Sequence, residues 1–180
     1  MKQALLIIDA QQALVETVFQ KEKLLENVNK VIQKALQAEA DIIFIRDTDV
    51  GEGKGAGFEI HSDITVPQIA KVFDKTATNA FYKTPLLAYL TDREVRHIVM
   101  MGCKTEHCVD TTVRTATVQH FDVTLVADGH STTDSNAIPA ETIIKHHNET
   151  LHGHYNIDNF SVVRPSDEDL FDPIHDNYRD

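Results

Sequence analysis

The stretch Met100-Met101-Gly102-Cys103-Lys104-Thr105-Glu106-His107-Cys108-Val109-Asp110-Thr111-Thr112-Val113 decides the fold. The apolar run Ile98 to Met101 reads as a buried strand, which starts at Val95, and Gly102 allows a sharp turn at its end. Thr105 stands where a helix N-cap belongs. Val109, Val113 and Ala116 then recur at i, i+4 and i+7, the stripe of a helix that packs on a sheet. Cys108 falls, on this reading, in the first turn of a helix that begins where a strand ends. Unpaired N–H groups and the positive end of the helix dipole meet there and favour a thiolate over a thiol. A nucleophile fits such a place; the plain alternative is a small buried packing residue.

The same alternation extends in both directions. Ala4 to Ile8, Ile42 to Ile45 and Val123 to Ala127 are continuous apolar runs, the pattern of strands buried on both faces. Ala70 to Phe73 is a shorter third strand and Phe160 to Val163 a last one. Between them, Leu24, Val28, Val31 and Ala35 repeat at helical spacing. Pro85 to Leu90 reads as a helix capped by Thr84, Thr105 to His120 as the helix of the central motif, and Pro139 to Leu151 as another, with Pro near N1. Strands alternating with helices about every 30 residues predict an α/β fold with a parallel sheet covered on both faces. No repeat or linker divides residues 1–180, so one domain is expected. Gly51 to Gly57 holds four of the seven glycines but spells no phosphate-binding motif, and reads as a mobile loop or lid. The acidic end, Asp167 to Asp180, reads as a solvated tail with a short helix capped by Ser166.

Composition excludes several classes. A net charge of −11 opposes binding to phosphate backbones, and no basic stripe offsets it, so no nucleic-acid partner is expected. No apolar run approaches the ~18 residues of a membrane span, and the amino terminus lacks the pattern of a signal peptide. Two cysteines without an export signal predict a reducing, cytoplasmic setting.

In open parallel sheets, ligand sites form beyond the carboxyl ends of the strands. That rule selects Asp9 and Gln11 after the first strand, and Arg46, Asp47 and Asp49 after the second. It adds Asp74 and Lys75 after the third, the Cys108 loop after the fourth, and Asp128 and His130 after the fifth. Asp9 ends an apolar run where an unpartnered charge would be costly to bury. It is either a turn-capping carboxylate or a base beside the thiol. Asp74 and Lys75 are neighbours on an extended chain and point to opposite faces. A lysine would balance Asp9 and favour a thiolate, whereas a second carboxylate would do the reverse, so Lys75 is expected to face the site.

These segments together resemble the isochorismatase-like cysteine hydrolases, which include nicotinamidases, N-carbamoylsarcosine amidases and isochorismatases. Leu6-Ile7-Ile8-Asp9-Ala10-Gln11 is similar to the family's opening strand with its D-x-Q. Lys75 to Phe81 resembles its K-x(4)-A-F segment, Gly102 to Val109 its G-x-x-T-x-x-C-V motif, and Ala127 to Thr132 its D-x-x-S/T segment. The resemblance spans nearly the whole chain. It implies a three-layer, Rossmann-like fold with a mostly parallel six-stranded sheet of order 3-2-1-4-5-6. It also implies a catalytic triad of Asp9, Lys75 and Cys108, a cis peptide at Cys103–Lys104, and an oxyanion hole from the N–H groups of Lys104 and Cys108. Cleavage of a small amide, imide or ureido-type substrate through a thioester would follow, with no cofactor. A homo-oligomer is implied as well.

Two departures narrow this. Where nicotinamidases carry a D-x-H metal pair, this chain has Asp47-Thr48-Asp49, with His61 the nearest later histidine, so those three are only weak metal candidates and no metal is expected. True isochorismatases lack the cysteine; Cys108 points instead to carbonyl chemistry. Cys103 reads as buried packing. Gln11, Phe58, Phe81 and Tyr82 are candidates for the substrate pocket. His146, His147, His152 and His154 are dense, but adjacent helical residues face about 100° apart and do not converge on one ion. Two rival readings remain: a catalytically idle oligomeric binding or scaffold relative, and a thiol redox protein, which the absence of C-x-x-C opposes.

Overall fold

The computed structural model describes every residue except Ile157 and Asp180. Four long apolar runs form the centre of one sheet. These are β1 (Lys2–Ile8), β2 (Asp41–Asp47), β4 (Val95–Cys103) and β5 (Asp122–Ser131), flanked by β3 (Lys71–Lys75) and β7 (Asn159–Arg164). The order is β3-β2-β1-β4-β5-β7-β6, and all pairs are parallel except the last. The expected order of the first five strands is observed. A two-residue β6 (Tyr155–Asn156), antiparallel to β7, adds a seventh strand where six were expected. Two residues are too few to leave an alternation that sequence can show.

Burial follows the period of two along each strand. Leu5, Ile7, Ile42, Phe44, Val99 and Met101 face α2 (Lys21–Gln37), whose Val28, Val31, Ile32 and Ala35 form one half of the core. Leu6, Ile8, Ile43, Ile45, Ile98, Met100 and Leu125 face the other way. They pack on Leu86 and Leu90 of α4 (Leu86–Asp92), on Val113 and Ala116 of α5 (Asp110–Val118), and on Leu151, the last residue of α6 (Ala140–Leu151). Each fully buried aliphatic contributes about 1.5–3 kcal/mol, which is why the strands read as unbroken apolar runs. No helix among the described residues is long and apolar enough to cross a membrane.

Several local expectations are corrected. The Gly51–Gly57 segment forms a 3₁₀ turn (Val50–Gly53) and a short α3 (Gly55–Phe58), and Gly57 lies against Ala13 of α1 (Gln12–Val15). Ser166 caps no helix: its N–H and hydroxyl are bound by the Asp128 carboxylate, both at 2.8 Å. The acidic end is not a free tail over the described residues, since Leu170 is fully buried, and Phe171 and His175 nearly so. The helix after Thr84 begins at Leu86 with Pro85 in the cap position, while the Thr84 hydroxyl still accepts the Leu86 N–H at 3.3 Å.

Candidate active site

Three strand ends bring the chemistry together. Gly102 pairs with Ile8 on one side and His130 on the other, at a backbone φ of +128°. A Cβ there would lie 2.0 Å from the Ile8 carbonyl oxygen, so only glycine lets the end of β4 sit this close to β1. Asp9 follows β1 in a left-handed conformation (φ +50°), which aspartate tolerates better than most residues. β3 continues past Phe73, where the sequence reading ended it, so that Lys75 pairs in register with Asp47 of β2.

The alternation along β3 sorts its last two charges. Asp74 turns outward to the Arg46 guanidinium at 2.8 Å, while Lys75 is 1% exposed and points inward. Its ammonium lies 3.0 Å from Asp9 Oδ2 and 3.3 Å from Cys108 Sγ, and it also contacts Asp47 Oδ2. Oxygens of Asp9 and Asp47 and the Cys108 sulfur lie within 4.8 Å of one another. Asp9 Oδ1 is buried with no hydrogen-bond partner among the described residues.

Asp47 is the residue whose place sequence reasoning missed. It was a metal candidate, yet Asp49 and His61 do not gather with it. Asp49 donates its N–H to Asp47 Oδ1 at 2.9 Å, and His61 engages Glu16 at 3.0 Å and the Asp63 N–H at 3.2 Å. The cation shared by Asp47, Asp9 and Cys108 is the Lys75 ammonium. Asp47 itself is aimed by Gln11, whose side-chain amide donates to the Asp47 carbonyl (3.0 Å) and accepts the Asp47 N–H (2.8 Å). Gln11 also donates to the Phe58 carbonyl at 2.9 Å and is fully buried, so its amide serves the framework rather than a pocket. Phe58 is nearly buried beneath the Arg46 guanidinium, Phe81 stacks on Phe121 in the core, and only Tyr82 is half exposed.

The Cys103–Lys104 peptide is cis, and Cys108 sits in a single π turn (Thr105–Val109) that precedes α5. Thr105 does not cap that turn: its hydroxyl meets His130 Nδ1 at 2.8 Å. Both cysteines are free, and Cys103 is buried in the core. Of the four late histidines, His147 bonds the Ile143 carbonyl, His152 accepts the Val163 N–H, and His154 meets Arg114. His146 stacks edge-on against His147, so these rings serve separate partners.

Electrostatics here correct the expected resting thiolate. Burial pushes the Asp9 carboxyl up to about 6, against the pull of Lys75. Burial and the Asp9 charge push the Cys108 thiol up to about 12, with Lys75 opposing. Burial would lower the Lys75 ammonium, but Asp9 and Asp47 more than reverse it. At neutral pH the cluster therefore holds an ionised Asp9, the Lys75 ammonium and a protonated thiol, because burial and the Asp9 charge outweigh what Lys75 offers the sulfur.

Residues 3–146 match the isochorismatase domain. This chain belongs to the isochorismatase family. A streptothricin hydrolase of Streptomyces noursei is 32% identical over 144 residues, which cover 76% of this chain and 57% of that protein. The chain thus spans little more than half of that relative. The uncharacterized isochorismatase family protein YrdC of Bacillus subtilis (strain 168) is 26% identical over 175 residues, covering 93% and 89% of the two chains. A solved isochorismatase family protein superposes with a TM-score of 0.81 at 29% identity, over 90% of this chain and 97% of the other. N-carbamoylsarcosine amidase from Thermoplasma acidophilum (TM-score 0.72, 21% identity, 93% and 98% covered) shares the fold.

Proposed function

We propose that this chain is a cysteine hydrolase of small amide-like substrates that works through a thioester acyl-enzyme, with Asp9 as base, Lys75 as counter-ion and Cys108 as nucleophile. The observation that carries this reading is the buried Asp9–Lys75–Cys108 contact set, in which Asp9 Oδ1 has no partner among the described residues and is free to accept a proton. No packing requirement selects those three side chains together, which disfavours an idle scaffold.

In the first step the sulfur–carbon bond forms as the thiol proton passes to ionised Asp9. That transfer removes the negative charge that had held the thiol protonated, and the sulfur then faces Lys75. The Lys104 and Cys108 N–H groups receive the oxyanion; losing one such donor cost about 2.7–4 kcal/mol of barrier in a serine protease where it was tested. Protonated Asp9 returns its proton to the leaving nitrogen as the carbon–nitrogen bond breaks. Water then attacks the thioester, Asp9 takes its proton, and the proton ends on sulfur as the acid departs.

The test uses p-nitrophenyl acetate as an acylating probe, with a panel of primary amides, ureido acids and a streptothricin followed by ammonia or amine release. A nitrophenolate burst with acetyl mass on Cys108 is expected, and Cys108→Ala should lower turnover more than about 10³-fold with the fold intact. Full activity in Cys108→Ala overturns the reading. The same scheme predicts that iodoacetamide alkylates Cys108 slowly below pH 8, as a thiol.

A further inference from the structure

One buried titratable group takes no part in this chemistry yet touches the turn that carries it. His130 is 3% exposed and lies in the irregular end of β5, where the pairing with β4 jumps from Met100↔Leu125 to Gly102↔His130. Its two ring nitrogens have different partners, and these fix its tautomer. Asn148 donates its amide Nδ2 to the Ala127 carbonyl at 2.9 Å, so its Oδ1 is what faces His130 Nε2, at 2.8 Å. An amide oxygen only accepts, so Nε2 carries the proton and Nδ1 is bare. The Thr105 hydroxyl, itself 1% exposed and 2.8 Å from Nδ1, must then donate.

Thr105 is the first residue of the π turn and directly follows Lys104, whose N–H lies in the cis peptide with Cys103. Lys104 holds the N-cap position, so the Thr105 hydroxyl is one residue inside the turn and goes to the imidazole. In this π turn the Lys104 carbonyl accepts both the His107 and Val109 N–H groups at 3.2 Å. Single π turns are frequent at functional sites.

We propose that His130 is a positioning residue: through the Thr105 hydroxyl, the Asn148–His130 pair fixes the turn so that the Lys104 and Cys108 N–H groups converge on one oxyanion. This rests on the hydrolase reading above. Burial pushes the imidazole down to about 4, so the neutral tautomer persists through the range in which Asp9 is ionised.

The experiment combines burst kinetics with p-nitrophenyl acetate and amide NMR of the substrate-free protein. His130→Leu removes the acceptor, whereas His130→Asn offers its Oδ1 in place of Nδ1. His130→Leu is expected to slow acylation about 10- to 100-fold with half-saturation changed less than about twofold, and His130→Asn to recover most of the rate. Thr105→Val should match His130→Leu, and the double variant should be no slower than either, while Thr105→Ser stays near wild type. In the NMR arm the imidazole should carry its proton on Nε2. The Lys104 and Cys108 amide signals should shift in His130→Leu and return in His130→Asn. A proton on Nδ1, unmoved amide signals, or additive losses in the double variant would overturn the proposal. If His130→Leu fails to fold, the Thr105 pair decides by the same criteria. A wild-type protein that gives no burst sinks the hydrolase reading alone, because the NMR arm still judges the turn.

Discussion

Opposite ends of the same sheet bury a polar cluster, and the two clusters answer the loss of water differently. At the amino end, His97 is fully buried between Gln3 and Thr124, at 2.7 and 2.8 Å, with its ring 5.4 Å from that of His175. Gln3 donates its amide nitrogen to the Phe171 carbonyl, so its oxygen takes the His97 Nδ1 proton and the Thr124 hydroxyl serves Nε2. Burial, with His175 and Arg164 adding to it, pushes His97 down to about 3, so the ring is neutral. At the carboxyl end the charges are kept, because Lys75 is built in against Asp9 and Asp47. One cluster is built on a neutral His97 and ties the carboxy-terminal segment to the sheet. The other keeps its charges, and each cluster holds one buried atom without a partner among the described residues, His175 Nδ1 in the first and Asp9 Oδ1 in the second. The proposed chemistry lies at the end where charge survives burial.

Removing the cation is the hardest blow to this contrast. Lys75→Met leaves two carboxylates facing one another in a dry site, and should cost about 3–5 kcal/mol in urea unfolding at pH 7.5. The acylation burst should vanish with it. At the other end His97→Leu strands the Gln3 oxygen and the Thr124 hydroxyl, which costs about 1–3 kcal/mol and leaves the burst intact. A His97→Leu protein that folds but no longer acylates would break the division of labour.

The two ends should also pull stability in opposite directions with pH. Asp9 is raised from 3.8 to about 6, so its stabilising contribution is full below about 3.8 and is lost as pH rises through about 6. His97 is lowered from 6.5 to about 3, so its contribution is full above about 6.5 and is lost as pH falls towards 3. Asp9→Asn should therefore be more stable than wild type at pH 7.5, by about 3 kcal/mol, and the gain should largely disappear by pH 4. His97→Leu should narrow its deficit over the same descent. Denaturant midpoints at the two pH values check both signs, and parallel slopes for the two variants would refute the contrast.

The sequence made the central sheet legible because each strand buries both faces and reads as an unbroken apolar run. It also sorted Asp74 from Lys75, since a period of two makes neighbours diverge. What it did not show depends on distant pairings. Asp47 meets Lys75 only because β2 and β3 align at that pair, and the offset between two strands leaves no mark in either. Thr105 looked like a cap until β5, 25 residues later, supplied His130. The acidic end looked solvated because its charges outnumber Leu170, Phe171 and His175, the side chains that dock it. Local pattern specifies elements; the site is assembled from the offsets between them.

The smallest expected effect tests that last kind of contact. Asp47→Asn removes a negative charge beside Asp9 and returns more of Lys75 to Asp9 and Cys108. Both changes favour ionised forms, so the acid limb of the acylation rate, set by Asp9 near 6, should move to lower pH by roughly 0.5 unit. Cys108 should react faster with iodoacetamide at pH 8 for the same reason. Asp47→Glu keeps the charge and should keep the limb near its wild-type place. Because Gln11 grips the backbone of residue 47 and not its carboxylate, the substitution leaves that anchor in place, and the limb reports charge rather than a displaced strand. An unmoved limb with unchanged alkylation would mean that Lys75 answers to Asp9 alone, and that the second carboxylate only fastens β2 to β3.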